Sequence, residues 1–215
     1  MRHALRSAVT LVLSAGVLFS GAGCSGDEPE PPAAATPKRT PTGAATALVQ
    51  RSAPYDVGLR SVAGDLRKRD RERATRLLAR PVRTWVDNGF LDRPWRRPNL
   101  RATFAGFTPD LRGQARRQAG RLTMSRLGNA VTEVIAQRRS IRLRGFAPRG
   151  RVMGGTAVVD LRFLAMTRDG EVRRVNVRGD LSLTRMGTPG KVRIFAYDLD
   201  RWVDRNVSVV GEDGA

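Results

Sequence analysis

Apolar residues recur at two different periods along this chain, and the change falls near residue 131. Over 66–88, Leu66, Ala74, Leu77, Leu78, Trp85 and Val86 fall at helical spacings, with charged residues between them. That pattern predicts a helix with one buried face. Pro81 predicts a kink or break in it, and Gly89 its end. An earlier short helix is expected within 56–65. Residues 90–107 hold two prolines and several aromatics and read as a packed loop. In it Trp95, flanked by Arg93, Arg96 and Arg97, either stacks on a ligand or pins the loop to its own core. Thr108 as N-cap and Pro109 at the first helical position open a second short helix over 109–120.

Beyond 131 the period becomes two. Strands are expected over 132–147, 155–167, 172–185 and 191–202, with a bulge at Gln137-Arg138 or at Gly145. Ala157, Val159, Leu161, Phe163 and Ala165 form one apolar face, and Val175, Val177, Gly179, Leu181 and Leu183 another. Asp169-Gly170 is a tight-turn signal, and Gly187 to Gly190 forms a second turn. The expected fold class is α+β: N-terminal helices packed on a bent, four-stranded antiparallel meander, with one apolar sheet face to cover.

The first 45 residues follow neither period. Arg2 and Arg6 precede an apolar run from Ala8 to Phe19, then Ser20-Gly21-Ala22-Gly23, then Cys24. Basic start, apolar middle and small-residue exit predict a signal peptide over 1–23. The run of about 12 residues is short against the roughly 20 of a spanning helix. Residues 24–45 begin with Cys24 and continue rich in Pro, Ala and Thr, a composition that buries no core and reads as a tether. The body is expected over 46–210, with a short tail at 211–215. The small residues before Cys24 resemble the lipobox of bacterial lipoproteins. That resemblance implies cleavage before Cys24, diacylation of its thiol, and anchorage on the extracytoplasmic face of the cell membrane.

Charge changes the picture next. Lys and Arg number 39 against 20 Asp and Glu, for a net charge of +19. An exported chain this basic meets lipid headgroups and acidic envelope polymers before it meets nucleic acid, so an envelope partner is expected and nucleic acid is disfavoured. The single histidine, His3, falls in the expected leader, and Cys24 is the one cysteine. A cleaved, acylated protein therefore lacks the Ser–His and Cys–His nucleophile systems and the usual His/Cys zinc sites. No cofactor and no metal site is expected.

Helices followed by long strands, the Asp169-Gly170 turn and the closing stretch Lys191-Val192-Arg193-Ile194-Phe195-Ala196-Tyr197-Asp198 resemble NTF2-like, or cystatin-like, domains. They resemble in particular the Mce-associated proteins and lipoproteins of actinobacteria. That family contains enzymes, ligand binders and assembly modules. Its SnoaL-like cyclases and ketosteroid isomerases would imply acid–base chemistry by Asp160, Asp180, Asp198, Asp200 or Tyr197, though none of these matches a catalytic motif. The leading expectation is a lipid-anchored, non-enzymatic binding or assembly module. The alternatives are such an acid–base enzyme, or a basic domain docking on anionic lipid or polymer. Arg142, Arg144, Arg162, Arg174, Arg178 and Arg193 are the candidate anion-binding face, because guanidinium forks match carboxylate and phosphate. The alternative for these arginines is cross-strand pairing with Asp160 and Asp180. Ligand identity and oligomeric state are not specified by the sequence.

Overall fold

A computed structural model describes residues 52–187 and 190–205. The expected leader, Cys24, the tether and the tail all lie outside the described residues, as do the two central positions of the 187–190 turn. Five strands form one sheet in the order β1-β2-β3-β4-β5: β1 is Tyr55–Gly64, β2 Val131–Ala147, β3 Gly154–Thr167, β4 Val172–Met186 and β5 Lys191–Asp204. One long helix, α1 (Arg71–Val86), and three short ones, α2 (Leu100–Thr103), α3 (Pro109–Arg117) and α4 (Ala119–Leu122), occupy the connection between β1 and β2. The expected class is therefore overturned. The sheet is five-stranded and mixed, with β1 running parallel to β2, and helix is scarce. It is not a four-stranded antiparallel meander packed under N-terminal helices.

The difference lies in β1, where a short helix was expected. Tyr55, Val57 and Leu59 alternate as a half-buried strand requires. At Arg60 the register with β2 slips, and Val62 returns to the core side. Three alternating residues followed by a bulge, with glycines at 58 and 64, hide the period. Its partner also lies far along the chain, since Tyr55 sits opposite Arg139. In β2 a register shift falls between Ala136 and Arg138, the first of the two expected bulge sites.

Helix α1 runs through Pro81 without a break. Pro81 is buried, and the 104–107 segment presses on it: a Cβ on Gly106 would sit 2.9 Å from the proline Cβ. Nor does the helix stop at Gly89. It continues as one π-turn over Asp87–Leu91, a local widening of the helix. Gly89 is there for close approach, with Thr103 and Leu122 each 3.3 Å from where its Cβ would be.

The buried face of α1, with Leu78, Val82, Trp85 and Val86, belongs to one core with Ile141, Leu143, Val159, Leu161, Phe163, Val177 and Leu181 of the sheet. Phe90 stacks on Phe163 at 5.0 Å and meets Trp85 edge-on at 5.6 Å. The Trp85 indole N–H donates to the Leu122 carbonyl at 2.9 Å, so the largest core side chain leaves no unsatisfied donor.

Candidate anion-binding site

Cross-strand neighbours in an antiparallel sheet share a face. The register puts Arg142, Arg144, Arg162, Arg174 and Arg178 together on the outer face, opposite the core. The same rows carry Asp160, Asp180, Asp198, Asp200 and Asp204, and Asp56 lies on the neighbouring β1. Arg142 grips Asp56 with both terminal nitrogens, one at 2.7 Å. This reach passes over Gly58, in ordinary contact with it. The paired guanidinium holds the Asp56 carboxyl below the usual carboxylate range. Arg178 and Arg138 both pair with Asp160, at 3.0 and 3.2 Å. Arg178 also lies over the Trp202 ring.

The sixth candidate, Arg193, leaves this face. It donates to the carbonyls of Ala105 and Phe107, as Arg112 does, and so clamps the 105–107 loop to the edge of β5. The outer face is thus charge-interleaved rather than a free basic band. Among the carboxylates considered for acid–base work, Asp160 is shared by two arginines and Asp180, Asp198 and Asp200 are exposed. The Tyr197 hydroxyl donates to Gln118, and burial pushes it up, away from the role of a base at neutral pH.

Unmatched positive charge gathers instead beside α1. Arg69, in the turn just before α1, and Arg73, Arg76, Arg80 and Arg83 on it are spaced 4, 3, 4 and 3 residues apart and all are exposed, the last four a single stripe along the helix. Like charges at these spacings cost a helix about 0.2–0.5 kcal/mol per pair. A groove of 620 Å³ runs along the stripe, lined by Arg67, Arg73, Arg76 and Arg80 from the helix side and by Arg151 and Arg185 from the sheet side. Asp70 is the one carboxylate lining it, and that is taken by Arg67 at 3.0 Å. Arg76 reaches Glu72 at 3.3 Å, a solvent-exposed pair of small energetic weight.

Arg73, Arg80, Arg151 and Arg185 make no ion pair among the described residues. Arg185 is held in place, donating to the Val152 carbonyl at 3.3 Å and lying against Gly190. Any Cβ at Gly190 would come within 2.3 Å of the Arg185 Nε, so the turn glycine makes room for the arginine. That Nε is buried and has no acceptor among the described residues. A second hollow continues the groove past Leu77, Arg80 and Gly190 to Lys191 and Arg193. The arrangement is a trough of guanidinium donors, suited to a row of oxyanions. The stripe was legible as a 4-3-4-3 spacing; the contributions of Arg151 and Arg185 come only with the fold.

Arg83, at the end of the stripe, is turned away to the ring of Tyr55, which Arg139 covers as well. The Tyr55 hydroxyl donates to Asp87 at 2.6 Å. Burial first, then the bond to the Asp87 carboxylate, pushes this hydroxyl well above the ordinary tyrosine range. The folded chain therefore keeps a proton that the unfolded chain releases near pH 10, so stability is full below that pH and falls as pH rises beyond it. Thermal melts across the alkaline range should show a shallower fall for Tyr55→Phe than for the parent. Identical alkaline limbs would refute the coupling.

No protein-family model matches the chain, and no curated protein or solved structure is significantly similar to it.

Proposed function

We propose that this protein is a lipid-anchored envelope module that binds phosphate-bearing surfaces through the arginine groove of α1. The observation that carries this reading is the groove itself, in which six arginines face one carboxylate that is already paired. The leader pattern and Cys24 supply the second half. An acyl anchor holds the body at the membrane, where anionic headgroups and polymers are the concentrated partners. Each basic residue near such a surface contributes about 1 kcal/mol, so the unpaired arginines of the groove suffice for docking once the anchor has removed most of the search. Binding rather than turnover fits the side chains present, since the groove offers many cations and a single carboxylate, Asp70, that is paired with Arg67.

The test is sedimentation of residues 24–215, carrying Cys24→Ser, with vesicles of phosphatidylglycerol and phosphatidylcholine. Binding should require the anionic lipid and disappear at about 1 M salt, where the Debye length is about 3 Å. The double variant Arg73→Ala/Arg80→Ala should bind roughly 30-fold more weakly. Equal binding to pure phosphatidylcholine, or a double variant that binds like the parent, defeats the reading. Metabolic labelling with a clickable fatty acid tests the anchor separately: label should enter the parent and not Cys24→Ser.

A further inference from the structure

A second basic hollow lies away from α1, where the 92–98 loop meets the turn before β2. It holds about 610 Å³ and is lined by Arg93, Trp95, Arg96, Asn129, Thr132 and Arg168, among other residues, with no carboxylate in its wall. Its walls are fixed. The Arg93 guanidinium lies 4.9 Å over the Trp95 ring and donates to the Thr132 carbonyl at 2.8 Å. The backbone N–H of Arg168 donates to the Ala130 carbonyl at 2.8 Å. Gly128 presses on the peptide between Trp95 and Arg96 so closely that a Cβ would stand 2.4 Å from its atoms.

Trp95 is 7% exposed, yet its indole N–H has no acceptor among the described residues. Trp85, the other buried tryptophan, has one, the Leu122 carbonyl. An unpaired buried donor is costly, so an oxygen from water or a ligand is favoured beside it. Trp95 lines the hollow, and the donors beside it there are guanidinium forks and the Asn129 amide.

We propose that this hollow is a binding site for a phosphate monoester, separate from the groove of α1. Arg96 and Arg168 grip the phosphate oxygens, Asn129 supplies a neutral donor, and the Trp95 indole forms the wall beside them. The number of donors exceeds what the two oxygens of a carboxylate accept, and their charge suits a dianion. A buried indole as one wall leaves an apolar surface for the group that the phosphate is attached to. This site would read a terminal phosphate on a small molecule or headgroup, whereas the α1 trough meets a row of charges.

The chain has three tryptophans and so three indole N–H resonances in a ¹⁵N-labelled sample. Trp95→Phe identifies the Trp95 signal by its loss. Glycerol 3-phosphate, added at constant ionic strength, should move that signal saturably and leave those of Trp85 and Trp202 in place. Inorganic phosphate should move it less at equal concentration, because it lacks the attached group. Arg96→Ala/Arg168→Ala should weaken the response about a hundredfold, with the other two indole signals unmoved as proof of folding. Arg73→Ala/Arg80→Ala should keep the full response, which separates this site from the α1 groove. The same movement with chloride or acetate, no movement at all, or an undiminished response in Arg96→Ala/Arg168→Ala overturns the proposal.

Discussion

Trp85→Ala should lower the folding stability by about 4 kcal/mol and the melting temperature by roughly 8–16 °C. Three separate losses meet at this residue. The indole is 0% exposed and joins α1 to the sheet through Phe90 and Phe163, so truncation opens a cavity at the centre of the core. The edge-on contact with Phe90 disappears, a loss of roughly 0.5–1.5 kcal/mol beyond burial. The Leu122 carbonyl is left buried without its donor. A domain of ordinary stability, about 5–15 kcal/mol, barely survives such a change. Trp202, 40% exposed on the outer face with Arg178 over its ring, supplies the comparison: Trp202→Ala should cost only about 1–2 kcal/mol. Thermal denaturation followed by circular dichroism measures both, and similar melting temperatures for the two variants would contradict the packing described here.

The second large effect is expected from a single added methyl group. Gly179 lies in mid-β4 with φ at 137°, a backbone region that glycine tolerates and other residues seldom enter. A Cβ there would point at the neighbouring strand, 2.0 Å from the Asp198 carbonyl oxygen. No rotamer relieves that clash, because both partners are backbone; β4 and β5 must part. Gly179→Ala should therefore cost about 3 kcal/mol or more. Gly170 separates the two causes. It also has positive φ, 81°, but nothing lies within 4 Å of its would-be Cβ. Gly170→Ala should cost only the conformational share, about 1–2 kcal/mol. If the two variants unfold at the same denaturant concentration, the close approach of the strands carries no weight.

Much of the sheet was readable in advance because its strands are local. Alternation over fourteen or more residues and a tight turn such as Asp169-Gly170 place β3 and β4 without reference to anything distant. The strand β1 resisted the same reading. Its period is interrupted at Arg60, and what makes it a strand is a partner more than eighty residues later. That one element changes the class of the fold, from an antiparallel meander to a mixed sheet. The candidate site divides in the same way. Alternation and register both put Arg142, Arg144, Arg162, Arg174 and Arg178 on one face. It gave the aspartates of β5 and β1 less weight than the register gives them, so the face is far less positive than its arginines alone suggest. Arg193 has a side chain that leaves its strand's face for the loop beside it. Trp95 does pin its loop to the core, and the open question in the sequence, whether it also meets a ligand, turns on an indole donor that only the packing reveals.

The margins of the sheet set limits on how a partner can approach. An edge strand with free backbone groups invites another strand to add to it. On one side, β1 is broken at Arg60 by a bulge and flanked by glycines, so it presents no long flat ladder. On the other, the backbone of Ile194 is already bonded to Gly106 and Thr108, and the rest of β5 bears Asp198, Asp200 and Asp204. Both edges are blunted in the ways that discourage sheets from zipping together. Among the described residues, free backbone at the sheet margins is scarce, and the proposed docking through the α1 groove would accordingly rest on side chains.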